Sequence, residues 1–133
     1  MSSAPDSSAL NIDLWPKARF ETDIVTPVSI LRRQAALLGE KTQQLVAAEV
    51  VTTVVGDYAT HFFRLVVPAL DHYKYELFRM EHRVDQFYPI MAYFPGMESH
   101  VPDQQALVEW LRQVLSSEST LRKVDSLMAQ AKG

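Results

Sequence analysis

Residues 46–80 read VAAEVVTTVVGDYATHFFRLVVPALDHYKYELFRM, and this stretch decides the fold. Val50 to Val55 are all β-branched, which costs a helix side-chain freedom and suits a pleated surface. Gly56-Asp57 after such a run signals a two-residue hairpin turn, and Ala69-Leu70-Asp71 a three-residue one. Three antiparallel strands follow. Pairing Val55 with Tyr58 sets Thr53 opposite Thr60, Val51 opposite Phe62 and Glu49 opposite Arg64. Pairing Pro68 with His72 sets Arg64 opposite Glu76 and Phe62 opposite Phe78. A slip of one residue in the second hairpin sets Leu65 against Glu76 and Phe62 against Arg79, a poorer set of partners.

Strand alternation then sorts the side chains. One face carries Ala48, Val50, Thr52, Val54, His61, Phe63, Leu65, Val67, Tyr73, Tyr75 and Leu77, and is expected to be covered by helices. The other carries a charged row, Glu49–Arg64–Glu76, beside an apolar row, Val51–Phe62–Phe78, with Met80 beyond. An apolar row of that size needs a cover, since large exposed apolar patches are uncommon on monomers.

Outward from the strands, residues 1–9 are small and polar and are expected to be a disordered tail. Residues 10–25 are expected to form an extended arm, with Leu10, Ile12, Leu14, Trp15 and Phe20 docking on the body of a single domain spanning 10–133. Thr26-Pro27 opens a helix as N-cap and first-turn proline. Its apolar stripe is Ile30, Leu31, Ala35, Leu38, Thr42 and Leu45, and Gly39 inside it costs ~1 kcal/mol relative to alanine. A fourth strand is expected over Tyr88–Phe94, with Pro89 marking an edge or irregular start. Pro95-Gly96 ends it, and a loop leads on. Asp103 and Ser117 cap two amphipathic helices, the first carrying Leu107, Trp110, Leu111 and Val114, the second Leu121, Val124, Leu127 and Met128. The order α-β-β-β-β-α-α predicts an α+β domain: an antiparallel sheet of about four strands with helices on one face.

Composition narrows function by exclusion. The 133 residues are 47% hydrophobic and 22% charged, with formal charge −3. That balance is ordinary for a globular domain and gives no basic footprint for nucleic acid. There is no cysteine, hence no thiolate chemistry and no disulfide framework. The N-terminus shows no signal-peptide pattern, and no apolar run approaches the ~20 residues that span a bilayer. A soluble cytoplasmic protein without a membrane role is expected.

Chemical motifs are sparse. His61, His72, His82 and His100 show no HExxH or His-x-His spacing, so no metal site is expected. No GxGxxG, Walker A or GxSxG pattern occurs, and no cofactor is expected. Glu81-His82 with Asp85 is the densest titratable cluster; its bland reading is a strand end entering solvent. The Glu49–Arg64–Glu76 row reads as a cross-strand ladder worth up to ~1 kcal/mol per pair.

Two function classes remain. The first is a non-enzymatic interaction or accessory module that binds a protein partner or a second copy through Val51, Phe62, Phe78, Met80 and Arg64, with no catalytic residue. The second is a small-molecule binder or modest enzyme with a pocket between sheet and helices, lined by His61, Tyr75 and Arg79, with Glu81 and His82 at its mouth.

Overall fold

The computed structural model describes residues 7–17 and 22–133. Its elements run α1 (Pro27–Lys41), β1 (Ala47–Val55), β2 (Tyr58–Val67), β3 (Tyr73–Arg83), β4 (Gln86–Phe94), β5 (Met97–Val101), α2 (Gln104–Leu115) and α3 (Glu118–Lys132). The strands form one antiparallel sheet in the order β1-β2-β3-β4-β5. The fold is α+β, with residues of all three helices packed on one sheet face.

The helix boundaries follow their caps. Thr26 and Ser29 form a reciprocal capping box at α1, while Asp103 and Ser117 accept from the backbone at Ala106 and Thr120. α1 stops at Lys41, earlier than its apolar stripe suggests, because Gln43 and Gln44 take left-handed backbone angles of 51° and 66°. The buried Thr42 hydroxyl lies 3.0 Å from the Leu38 carbonyl and 2.8 Å from that of Val46, tying the helix end to the start of the sheet. Gly39 closes the gap to the Gln44 side chain: a Cβ there would meet Oε1 at 2.9 Å.

The first hairpin has the expected register, including Glu49 opposite Arg64 and Val51 opposite Phe62. The second starts as expected, with Arg64 opposite Glu76, and then shifts: Phe63 faces Phe78 and Phe62 faces Arg79. Leu77 is the extra residue of a β-bulge, so Leu77 and Phe78, adjacent in sequence, both point inward at 3% and 1% exposure. An unbroken register would turn Arg79 and Glu81 into the core, where an unpaired charge costs several kcal/mol. The bulge sends both outward and brings Phe78, Met80 and His82 in. The expected pairing of Phe62 with Phe78 is therefore wrong, and Phe78 and Met80 belong to the core, not to the second face.

β5 is a further difference. Met97–Val101 pairs with β4 where a loop was expected. Pro95-Gly96 is a hairpin turn, with Gly96 at φ +80°, a value that only glycine adopts at little cost. A five-residue edge strand needs little apolar content, and MESHV has little. Pro89 lies in an irregular stretch of β4, between the pairs Arg83–Gln86 and Glu81–Met91, as its missing N–H requires.

The core is centred on rings. Phe63 stacks on Phe78 at 4.8 Å between centroids, and Trp110 of α2 meets Phe78 edge-on at 5.2 Å. Leu31, Leu65, Met80, Ile90 and Leu107 complete it with no exposure. Of the apolar positions on α3, Leu127 is buried whereas Leu121 is 56% exposed. The expected tail lies partly outside the described residues, and Ser7–Asn11 is a short 3-10 turn. Phe20 of the arm also lies outside them. In the described part of the arm, Leu10, Leu14 and Trp15 are 87%, 84% and 73% exposed.

Because Phe78 joins both sheet and helix in the core, Phe78→Ala is expected to cost about 3–5 kcal/mol in urea unfolding. A loss below ~1 kcal/mol would put Phe78 back on the surface.

Candidate functional site

The sheet face turned away from the helices is built from rows that cross the strands. Register places Val51, Phe62, Arg79, Tyr93 and Glu98 in one row, and Thr53, Thr60, Glu81, Met91 and His100 in the next. Glu49, Arg64 and Glu76 form a third. The strand residues of this face include four basic side chains (Arg64, Lys74, Arg79, Arg83) and four acidic ones (Glu49, Glu76, Glu81, Glu98).

What covers the rings here is arginine. Arg64 lies over Phe62 at 5.3 Å, Arg79 over Tyr93 at 5.1 Å and Arg83 over Tyr58 at 5.8 Å. The guanidinium is planar and weakly hydrated, so it stacks on a ring while its edge stays wet. Each contact is worth ~0.5–1 kcal/mol where solvent reaches it. The face is thus neither bare nor sealed: Val51, Phe62, Arg64, Met91 and Tyr93 are all half-buried. The helices occupy the opposite face, and the described arm residues are exposed.

Arg64 therefore does not act as the centre of an ion-pair ladder. Glu49 pairs instead with Lys74, two strands away, at 3.0 Å. Arg83 spans Asp85 at 3.4 Å and Asp57 at 3.9 Å, and the nearby Asp85 carboxylate raises its pKa further. Both contacts are solvated and stabilise little.

The residues of the expected pocket scatter. His61 and His82 come together, but Arg79 and Glu81 lie on the other side of the sheet, and Tyr75 sits under Lys123 of α3 at 4.3 Å. The neighbours Glu81 and His82 point to opposite faces, as adjacent strand residues do, and make no acid–base pair. The pairing of His61 with His82 has no trace in their spacing of 21 residues; only the bulge turns His82 inward.

The two histidines form a closed hydrogen-bond chain. Thr52 Oγ1 lies 2.8 Å from His61 Nδ1, the two Nε2 atoms are 2.7 Å apart, and His82 Nδ1 lies 2.7 Å from the Arg83 carbonyl. The ends determine the protons. A carbonyl accepts only, so His82 Nδ1 carries the hydrogen and its Nε2 accepts. His61 Nε2–H donates to it, leaving His61 Nδ1 to accept from the Thr52 hydroxyl. Every position is filled with both rings neutral, and a further proton has nowhere to go except between two nitrogens already in contact. Burial, the neighbouring His82 and Arg32 of α1 together lower the His61 pKa from 6.5 to about 4. The arrangement is a buried polar pair in which every ring nitrogen has a partner. Among the described residues, no three histidine, aspartate or glutamate side chains gather to hold a metal ion.

One open cleft lies elsewhere, between α1 and α3 over the middle of the sheet, with a volume of about 430 Å³. Leu37, Leu38, Phe63, Leu65, Val124 and Met128 line it, with Lys41 and Asp125 among its polar walls. None of the expected pocket residues borders it. No described helix is long and apolar enough to cross a membrane.

His61 makes stability depend on pH with a definite sign. In the unfolded chain His61 takes up a proton below about 6.5, whereas in the folded protein it stays neutral to about 4. The unfolded state then binds more protons, so stability falls as pH drops through that window. The expected loss between pH 7.5 and 4 is on the order of 2–3 kcal/mol, read from urea unfolding at each pH, and His61→Met should flatten that slope. An equal slope in the variant would remove His61 as the cause. Comparison with protein-family models, with curated proteins and with solved structures finds no match, so function is read from this geometry alone.

Proposed function

We propose that this chain is a non-enzymatic protein-interaction module that docks a partner protein on its open sheet face, centred on Val51, Phe62, Arg64, Arg79 and Tyr93. The observation that carries this reading is the row of half-buried rings and aliphatic side chains under arginine. Aromatic residues, methionine and arginine are the types enriched at protein interfaces. Large, stiff rings also lose little entropy on binding, and arginines already held over them are partly ordered. The equal numbers of acidic and basic side chains favour a folded protein of mixed charge over a nucleic acid. Phe78 and Met80, expected in this patch, take no part because they are buried.

Placing the photoreactive residue p-benzoylphenylalanine at position 62 tests the proposal. A discrete protein adduct is expected in the native host, and none with the same residue at Arg122 on α3, which is exposed on the other layer. Adding Tyr93→Glu should abolish the position-62 adduct. Equal labelling from both positions would defeat the reading.

The cleft supports a second reading, a site for a small apolar ligand, because about 430 Å³ walled mainly by aliphatic side chains falls within the size range of ligand pockets. The dye N-phenylnaphthylamine should brighten with the protein, and Val124→Trp, which fills the cleft, should remove that response while the melting temperature holds. Unchanged brightening in the filled variant would rule the cleft out.

A further inference from the structure

The sheet has two edges, and they are treated differently. β5 is blunted by the usual means: it has only five residues, carries Glu98 and His100, and lies between Pro95 and Pro102. β1 lacks the short length and the flanking prolines. It is nine residues long, reads AAEVVTTVV, contains no proline or lysine and one charge, and runs against β2 without a bulge. Val55–Tyr58 flanks a two-residue turn and is a hydrogen-bonded pair, so odd-numbered residues of β1 bond inward to β2. Ala48, Val50, Thr52 and Val54 therefore direct their N–H and C=O groups outward. Among the described residues no backbone or side-chain group bonds to them there. An unprotected edge of this length is a template for another strand.

We infer that β1 pairs antiparallel with β1 of a second copy, about a two-fold axis at Val51, to make one continuous ten-stranded sheet. Three observations choose this occupant and register. Centring on Val51 overlaps the full strand, Ala47 opposite Val55, and wastes no outward bond. It sets Val50 against Thr52 and Ala48 against Val54 as the bonded pairs, so the outward residues meet one another. It also sets Glu49 against Thr53, whereas a shift that centres the axis on Glu49 would oppose two carboxylates. The axis stands normal to the sheet, so both copies keep their helices on one side and their open faces on the other. Val51 then meets its own twin and joins the two Val51–Phe62 rows end to end. An isologous contact of this kind closes on itself and stops at two chains.

This inference goes beyond the proposed function and rests on the edge of β1, not on the open face. Sedimentation velocity should give twice the chain mass. The chain has no native cysteine, so single cysteines read the register directly. In this register Val51 and its twin are a non-hydrogen-bonded pair about 4.5 Å apart at Cα, within the roughly 4.4–6.8 Å that a disulfide spans. Val51→Cys should form a disulfide dimer on mild oxidation. Thr53→Cys should not, since its twin lies roughly 13 Å along the strand, but mixed with Glu49→Cys it should give the cross-linked heterodimer. Val54→Pro removes an outward N–H at an exposed position and should yield a folded monomer, whereas Phe62→Glu, which damages the face, should leave the dimer intact. A wild-type monomer, or cross-linking of Thr53→Cys as ready as that of Val51→Cys, overturns the inference and leaves the reading of the open face standing. Failure of any position-62 adduct to form in the otherwise wild-type chain, with the dimer intact, does the reverse.

Discussion

Leu77 has no partner on β2, and its presence in β3 turns the alternation of that strand by one residue. Everything after it changes sides. Phe78 swings under Trp110 and against Phe63, Met80 turns inward opposite Ala92, and His82 reaches His61. In exchange Arg79 and Arg83 move out and come to rest over Tyr93 and Tyr58. The inward turn of Phe78 and Met80, the buried polar pair and two of the three arginine–ring contacts are consequences of one bulge. The driving force is the difference between burying a phenylalanine and a methionine, each worth ~1.5–3 kcal/mol, and burying an arginine and a glutamate with no partners.

The histidine pair shows how tightly that exchange is specified. Two imidazoles in an apolar layer are costly unless every nitrogen is bonded, and here the Thr52 hydroxyl and the Arg83 carbonyl close the chain at both ends. The polar chain crosses three strands, so it also holds the strand ends beyond the reach of the helices, where Val54 and Val55 are exposed. A slip of β3 by one residue would break it, and the pair thus reinforces the register that creates it.

Much of this was legible in the chain. Local chemistry marked the caps at Thr26, Asp103 and Ser117, the Gly56-Asp57 turn and the first hairpin, because each depends on residues close in sequence. The bulge was not read, although its signal is present: Leu77-Phe78 breaks the alternation, and Phe78, Met80 and His82 then alternate with Arg79, Glu81 and Arg83. A register carried rigidly from the turn misses such a break. β5 was missed because an edge strand is stabilised by backbone pairing, which leaves no apolar pattern. The arginine–ring contacts were missed for a related reason: Arg64 was assigned to the carboxylates in its own row, when its aromatic neighbour Phe62 competes for the same guanidinium. The cleft depends on the gap between α1 and α3, which no spacing in the sequence encodes.

Each strand of this sheet pairs with the one before it in the chain, so contacts within the sheet are short-range and close little loop entropy. The meander can assemble from its N-terminal side as the polypeptide is made. The helices that shield Phe78, Ile90 and Val101 come last, after residue 103. Until they arrive, the nascent sheet has one face roofed only by α1. A chain that stops early is therefore adhesive rather than merely short, and α2 and α3 set the moment at which the new protein becomes safe to leave uncovered.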